Sequence, residues 1–184
     1  AIYGELALSG ELRPCRGVLA VAEGAAAAGL DGIVLPTECA PEAALVEGLG
    51  VFGARDLREV AAILRGETDG TAAPARAPSA SSAEAPDLSD VRGHRLPLRA
   101  LTIAAAGGHN MLMSGPPGVG KTMLARRLPS ILPPLTRTEA IEVTRIQSVA
   151  GRPVAGLITQ RPFRAPHHSI SASGLVGGGA SPAP

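Results

Sequence analysis

The sequence predicts an α/β protein built in two parts, and three observations carry that prediction. Short apolar runs alternate with helix-like runs across residues 1–66, residues 67–86 contain no Val, Ile, Leu, Met or aromatic side chain, and residues 110–132 read as strand, glycine-rich loop and helix in direct succession. The parts are therefore 1–66, a linker at 67–86, and 87–184.

In the first part, Ile2–Leu8 and Glu11–Cys15 are expected to form a hairpin around Ser9-Gly10. Val18–Ala28 is an Ala-rich helix that Gly29 stops, and Asp31–Leu35 is a buried strand. Pro41 suits the first turn of a helix running to about Glu47, and Gly50–Gly53 is a second short strand. Asp56 with Glu59 forms a capping pair opening a helix that places Leu57, Val60, Ala61 and Leu64 on one face and ends at Gly66.

The linker offers nothing to bury, so a flexible coil spanning roughly 25 Å is expected there. Beyond it, Leu96–Ala106 reads as a helix ended by Gly107-Gly108, and Asn110–Ser114 as a short apolar strand. Lys121–Leu132 is the helix after the loop, cut off by Pro133-Pro134; Thr136 with Glu139 caps another helix reaching about Val149. From Gly151 onward glycine and proline dominate and no element is predicted.

Composition narrows the setting. The chain has 184 residues, 45% of them hydrophobic, enough for packed cores. No apolar run is long enough for a bilayer span, and Ala1–Glu5 lacks the basic and apolar regions of a signal peptide, so a cytoplasmic protein without membrane partners is expected. Cys15 and Cys39 show no Cys-x-x-Cys spacing, which fits free thiols better than a metal site or disulfide framework. The missing initiator Met and the Gly/Pro-rich end lead us to expect a piece of something longer. Net charge is +1, but residues 123–184 carry seven Arg against two Glu. That basic tail could face phosphates or nucleic acid, or meet an acidic counterpart on absent sequence or a neighbouring subunit.

The chemistry concentrates at Gly115-Pro116-Pro117-Gly118-Val119-Gly120-Lys121-Thr122, which matches G-x-x-x-x-G-K-[ST] at every fixed position between a predicted strand and a predicted helix. A terminal phosphate has to be met by several backbone N–H groups at once, so the loop must bend closely around it, which glycines permit. Lys121 would bridge the β- and γ-phosphates of ATP, and the Thr122 hydroxyl would be a ligand to Mg²⁺. Of seventeen basic residues Lys121 is the only lysine, and a chance Gly-rich turn would rarely place it there.

A hydrolytic site also needs a later strand ending in a carboxylate. After Thr122 the only acids are Glu139 and Glu142, both in the first turn of a predicted helix, while Ala44-Leu45-Val46-Glu47 precedes the loop in the other part. No catalytic residue is therefore assigned, and this stretch alone should not hydrolyse ATP efficiently. His167 and His168 are adjacent and lack an i, i+4 partner or a nearby Cys, which argues against zinc; His94 and His109 are isolated.

Four segments together resemble the magnesium-chelatase-like AAA+ family, in its YifB/ComM branch. They are Asp87-Leu88-Ser89-Asp90-Val91-Arg92-Gly93, Ala104–Asn110, the phosphate loop, and Arg161-Pro162-Phe163-Arg164-Ala165-Pro166-His167-His168-Ser169 followed by Gly177-Gly178-Gly179. The resemblance implies an incomplete AAA+ P-loop αβα domain, ATP and Mg²⁺ as cofactors, a hexamer in the intact family, and a motor that handles DNA. It places Val91 and Gly93 near the adenine and Met123 just after the loop, with His94 standing where Gln is common. Residues 1–66 resemble the C-terminal part of a Lon-protease-like α/β domain, but Leu19 stands where the catalytic Lys would be, so a scaffold and not a peptidase is expected. Other readings remain open: a metal-chelatase motor subunit, against which the Lon-like segment argues, or a non-catalytic nucleotide-binding protein.

Overall fold

The structure, a computed structural model, describes residues 1–68, 70–72, 86–152, 156–167, 169–172 and 174. The chain is mixed α/β with small sheets, and it divides into two compact units. One comprises Ala1–Ser79, Arg137–Ile158 and His168–Pro184, the other Ala80–Thr136 and Thr159–His167.

The first unit opens on the expected hairpin, shorter than its apolar pattern. Strands β1 (Glu5–Leu6) and β2 (Leu12–Arg13) pair antiparallel around Gly10, whose φ of 87° suits glycine in the turn. Helix α1 (Val18–Ala27) begins after Gly17 without a side-chain cap of its own. Instead the Leu19 N–H donates to Glu42 Oε1 at 3.1 Å, so a carboxylate from a distant element satisfies the helix start. Gly29, at φ 72°, ends it as predicted.

Strands β3 (Gly32–Pro36) and β4 (Gly50–Ala54) run parallel in register, joined through the short helix α2 (Ala40–Ala43). The sequence predicted α2 to reach Glu47; turns replace its second half. The sheet buries two faces. Ile33, Leu35 and Val51 join Val18, Ala22 and Ala43 in the main core, while Val34 and Ala54 pack with Val60. Gly32 and Gly50 are required by close approach, since a Cβ on either would meet a main-chain oxygen within 3.0 Å and the Phe52 ring at 3.0 or 3.2 Å.

Helix α3 (Leu57–Leu64) shows the predicted cap: Asp56 accepts from the Glu59 N–H at 2.9 Å. Its apolar face differs from the prediction. Leu57 and Leu64 are 52% and 65% exposed, whereas Val60 is buried and Ile63 packs beside it, because the sheet meets only that edge of the helix. The Glu59 carboxylate accepts from the Arg55 N–H at 2.7 Å and from Arg55 Nε at 3.2 Å, and these bonds hold it below its ordinary value of 4.5. The folded state then binds that proton more weakly than the unfolded chain. Its contribution is complete above the unfolded value and disappears as pH falls through the folded one. Glu59→Gln is expected to flatten the loss of stability below about pH 4.5; urea midpoints measured on either side of that value check this, and identical acid profiles would remove the assigned role.

Thr71–Ala72, inside the stretch read as linker, form strand β5, antiparallel to β4 at Phe52 and Gly53. Main-chain hydrogen bonds need no apolar side chain, which is why composition missed it. Residues 73–85 of that stretch lie outside the described residues.

Helix α6 (Arg137–Val149) packs with this first unit, against α1. Arg137 pairs with Glu47 at 2.7 Å and Arg145 with Glu23 at 3.2 Å, so two arginines of the basic tail find their acidic partners within the chain itself. Buried Thr144 donates to the Ala140 carbonyl and accepts from the Ile158 N–H at 3.0 Å.

The second unit holds helix α4 (Arg95–Gly107) and helix α5 (Lys121–Arg127), the latter passing into a 3-10 turn at Leu128–Ile131. The sequence predicted one helix to Leu132; Pro129, which has no N–H to donate, tightens its last turn. Asn110–Ser114 form no strand. A strand needs a neighbour for its main-chain bonds, and among the described residues none pairs with this segment. Among the described residues, Leu101, Ala104 and Leu124 are the buried apolar residues here, fewer than in the first unit.

Candidate phosphate-binding site

In sequence the site lies between α4 and α5. Leu101 and Ala104, three apart on α4, turn the same face inward, and Gly108 at φ 63° closes the helix as predicted. The chain then runs without regular secondary structure through Met111–Met113, with Leu112 92% exposed, into the loop.

Within the loop, Gly115, Gly118 and Gly120 take φ values of 151°, 82° and 84°, conformations that a side chain resists. At Gly120 an added Cβ would also meet Met123 Cε at 3.3 Å. Pro116 and Pro117 have no N–H, so the donors this loop can offer lie in its second half. Among the described residues, the N–H groups of Gly118 and Gly120 make no hydrogen bond to a protein acceptor, and Gly115–Val119 are exposed. An anion could therefore approach these amides without displacing a protein group.

Lys121 is the first residue of α5, and its Nζ donates to the carbonyls of Gly115 at 2.8 Å and Pro116 at 2.7 Å. An ammonium has three protons, so one remains for a ligand, and the other two pin the loop's ends together. Thr122 and Met123 follow on the exposed side of α5. Mg²⁺ retains several waters and asks few ligands of a protein, so a single exposed hydroxyl suits it. Among the described residues no group of three or more His, Cys, Asp or Glu side chains is placed to hold a metal ion.

Val91, Gly93 and His94 sit on the turn between the 3-10 helix Leu88–Asp90 and α4. Gly93 has φ 76° and His94 φ 52°, the one non-glycine residue with positive φ among the described residues. His94 Nε2 lies 3.9 Å from where a Gly120 Cβ would be, so this turn reaches the loop from 26 positions earlier in the sequence.

A second group of residues fixes that approach: Asp87, Leu88, Ser89 and Asp90, from a segment that carried the family resemblance, with Arg127 and Ser130, which the sequence did not single out. Asp87 accepts from the Ser89 N–H at 2.7 Å, and the Ser89 bonds hold its carboxyl below the ordinary value. The Leu88 N–H donates to Ser130 Oγ at 3.1 Å. Arg127 Nε donates to the Asp87 carbonyl at 3.0 Å, its Nη1 to the Met123 carbonyl at 3.2 Å, and its Nη2 lies 3.9 Å from Asp90. The capping box of Asp87 and Asp90 is local, whereas the contact of Arg127 with Asp87 spans 40 residues and leaves no local signal.

Behind the loop lies an apolar cleft of about 320 Å³, lined by Leu101, Met111, Met113, Leu128 and Phe163 among others, but by no residue of Gly115–Thr122. Arg161–His167 run irregularly, with Arg161 Nε donating to the Pro133 carbonyl at 2.8 Å. His168 and Gly177–Gly179 lie outside the described residues, and among the described residues no helix is long and apolar enough to cross a membrane.

Comparison with known proteins covers the whole chain. The sequence profile of magnesium chelatase, subunit ChlI, matches residues 87–184. An uncharacterized protein of Mycobacterium tuberculosis is 48% identical over 181 residues, 97% of this chain and 36% of that protein. YifB of Salmonella typhimurium is 47% identical over 100% of this chain and 36% of its own length, and the competence protein ComM of Haemophilus influenzae 42% over 98% and 36%. The chain thus spans about a third of the length of the curated relatives it matches. With the profile matching more than half of its residues and these relatives aligned along nearly all of it, the chain belongs to the magnesium chelatase ChlI-subunit family and is homologous to YifB and ComM.

Proposed function

We propose that this chain supplies the ATP-binding portion of a ComM-like AAA+ ATPase, with a Lon-protease-like scaffold segment at residues 1–66 ahead of the nucleotide domain at 87–184. The observation that carries the reading is the loop Gly115–Thr122: the N–H groups of Gly118 and Gly120 are not taken by protein acceptors, and Lys121 bridges the carbonyls of Gly115 and Pro116. Gly118, Val119 and Gly120 would receive the phosphates, Lys121 would add its remaining proton, and Thr122 would hold Mg²⁺. Val91 and Gly93 would flank the adenine, and Met123 would line the start of α5. Bound MgATP supplies a phosphoanhydride whose cleavage can drive a motor. The assignment to this stretch is binding, not hydrolysis. The acids that follow Thr122 are Glu139 and Glu142, on a helix belonging to the other compact unit. Assembly into a homo-hexamer is part of the same reading.

Equilibrium binding of MgATP to the chain and to Lys121→Ala tests the proposal. Weak binding is expected for the first and weaker still for the second, and equal affinities would remove the phosphate-cradle assignment.

The DNA-processing role rests on the likeness to ComM, whose name marks it as a competence protein. For this chain only weak, salt-sensitive DNA binding through arginine is expected. A fluorescence titration showing tight selection of branched over linear DNA would contradict that expectation and place a DNA site within these residues.

A further inference from the structure

The end of β2 and the start of α2 bring two free thiols together in the first unit. Cys39 is 7% exposed in the main core, and its Sγ donates to the Cys15 carbonyl oxygen at 3.9 Å. Cys15 is half-buried, and both residues line a cleft of about 350 Å³ together with Pro14, Arg16, Glu38 and Glu42. A small molecule can therefore reach Cys15, and Cys39 lies behind it.

We propose that Cys15 and Cys39 form a modification site at which a small-molecule disulfide such as oxidised glutathione closes an intramolecular Cys15–Cys39 bond. The Cys15 thiol gives up its proton and its sulfur attacks one glutathione sulfur, forming a mixed disulfide and releasing one glutathione thiolate, which takes up a proton. Cys39, deprotonated in turn, attacks the Cys15 sulfur and expels the second glutathione. The two protein thiols are oxidised by two electrons and one glutathione disulfide is reduced to two thiols.

The surroundings set the rate. Burial pushes the Cys15 thiol up to about 12, reinforced by Cys39, Glu5 and Glu42; burial also raises Cys39, hydrogen bonding with Cys15 opposes that rise, and Glu42 and Glu38 add to it. Arg16 and Arg152 on the cleft and Tyr3 beside Cys15 complete the charged and titratable groups there. Thiolate is scarce at neutral pH, so exchange should be slow and should quicken about tenfold per pH unit through the alkaline range. The bond formed would tie β2 to α2 across the segment containing α1 and β3, and the unit should melt at a higher temperature when oxidised.

The test is intact mass and peptide mapping of the folded full chain incubated with oxidised glutathione at neutral and alkaline pH, with Cys39→Ser and Cys39→Ala alongside. The wild type should lose the mass of two hydrogens and yield a Cys15–Cys39 linked peptide, while either variant should retain one glutathione on Cys15. A wild type that keeps stable mixed disulfides, or links chains to each other, overturns the proposal. So does a folded chain that stays inert at alkaline pH while the urea-unfolded chain reacts.

Discussion

Lys121→Ala is expected to weaken MgATP binding by at least about tenfold while leaving the melting temperature of the chain unchanged. A charge-assisted hydrogen bond is worth about 1.5–3 kcal/mol, and an ammonium aimed at a polyphosphate makes at least one. In the absence of ligand the same side chain does no more than bridge the carbonyls of Gly115 and Pro116 at the surface, so folding should not register its loss. Lys121→Arg is not a rescue, because a planar fork cannot follow the two carbonyls and a phosphate as a rotating ammonium can. Titration calorimetry with parallel thermal melts separates the outcomes. Lost affinity with an intact melt supports the phosphate role, whereas a collapsed melt would make Lys121 a structural residue.

Leu35→Ala should destabilise the first unit by about 2–5 kcal/mol. Leu35 is fully buried in β3, between β4 and the core built by α1 and α2, and small domains hold only about 5–15 kcal/mol in total. The urea midpoint of that unit, followed by far-ultraviolet circular dichroism, should fall sharply. Leu8→Ala is the control, since Leu8 is fully exposed beside the hairpin turn and its truncation should stay within about 0.5 kcal/mol. A similar midpoint for both variants would contradict the placement of β3 at the centre of the core.

What could be read from the sequence was what neighbouring residues decide among themselves. The Gly10 turn, the stop at Gly29, the Asp56 cap and the end of α4 at Gly108 each depend on a few consecutive residues, and each is found where expected. The loop's spacing was legible for the same reason. Partners distant in sequence were not: β5 forms because β4 has an open edge, Asn110–Ser114 stay unpaired for want of one, and Leu57 and Leu64 are exposed because the sheet lies under Val60 and Ile63 alone. The tail arginines belong with these, since Glu23 and Glu47 lie far back in the chain. At the candidate site, the proximity of His94 to Gly120 and the contacts of Arg127 were likewise invisible to local pattern.

Arg127 grips Asp87 and Asp90 on one side and its own helix at Met123 on the other. A tug on α5 is therefore passed through one guanidinium to the turn that carries Gly93 and His94. On the proposed reading, the two walls that would enclose a nucleotide are joined by that one side chain, so a shift at the phosphate end would be felt at the base end.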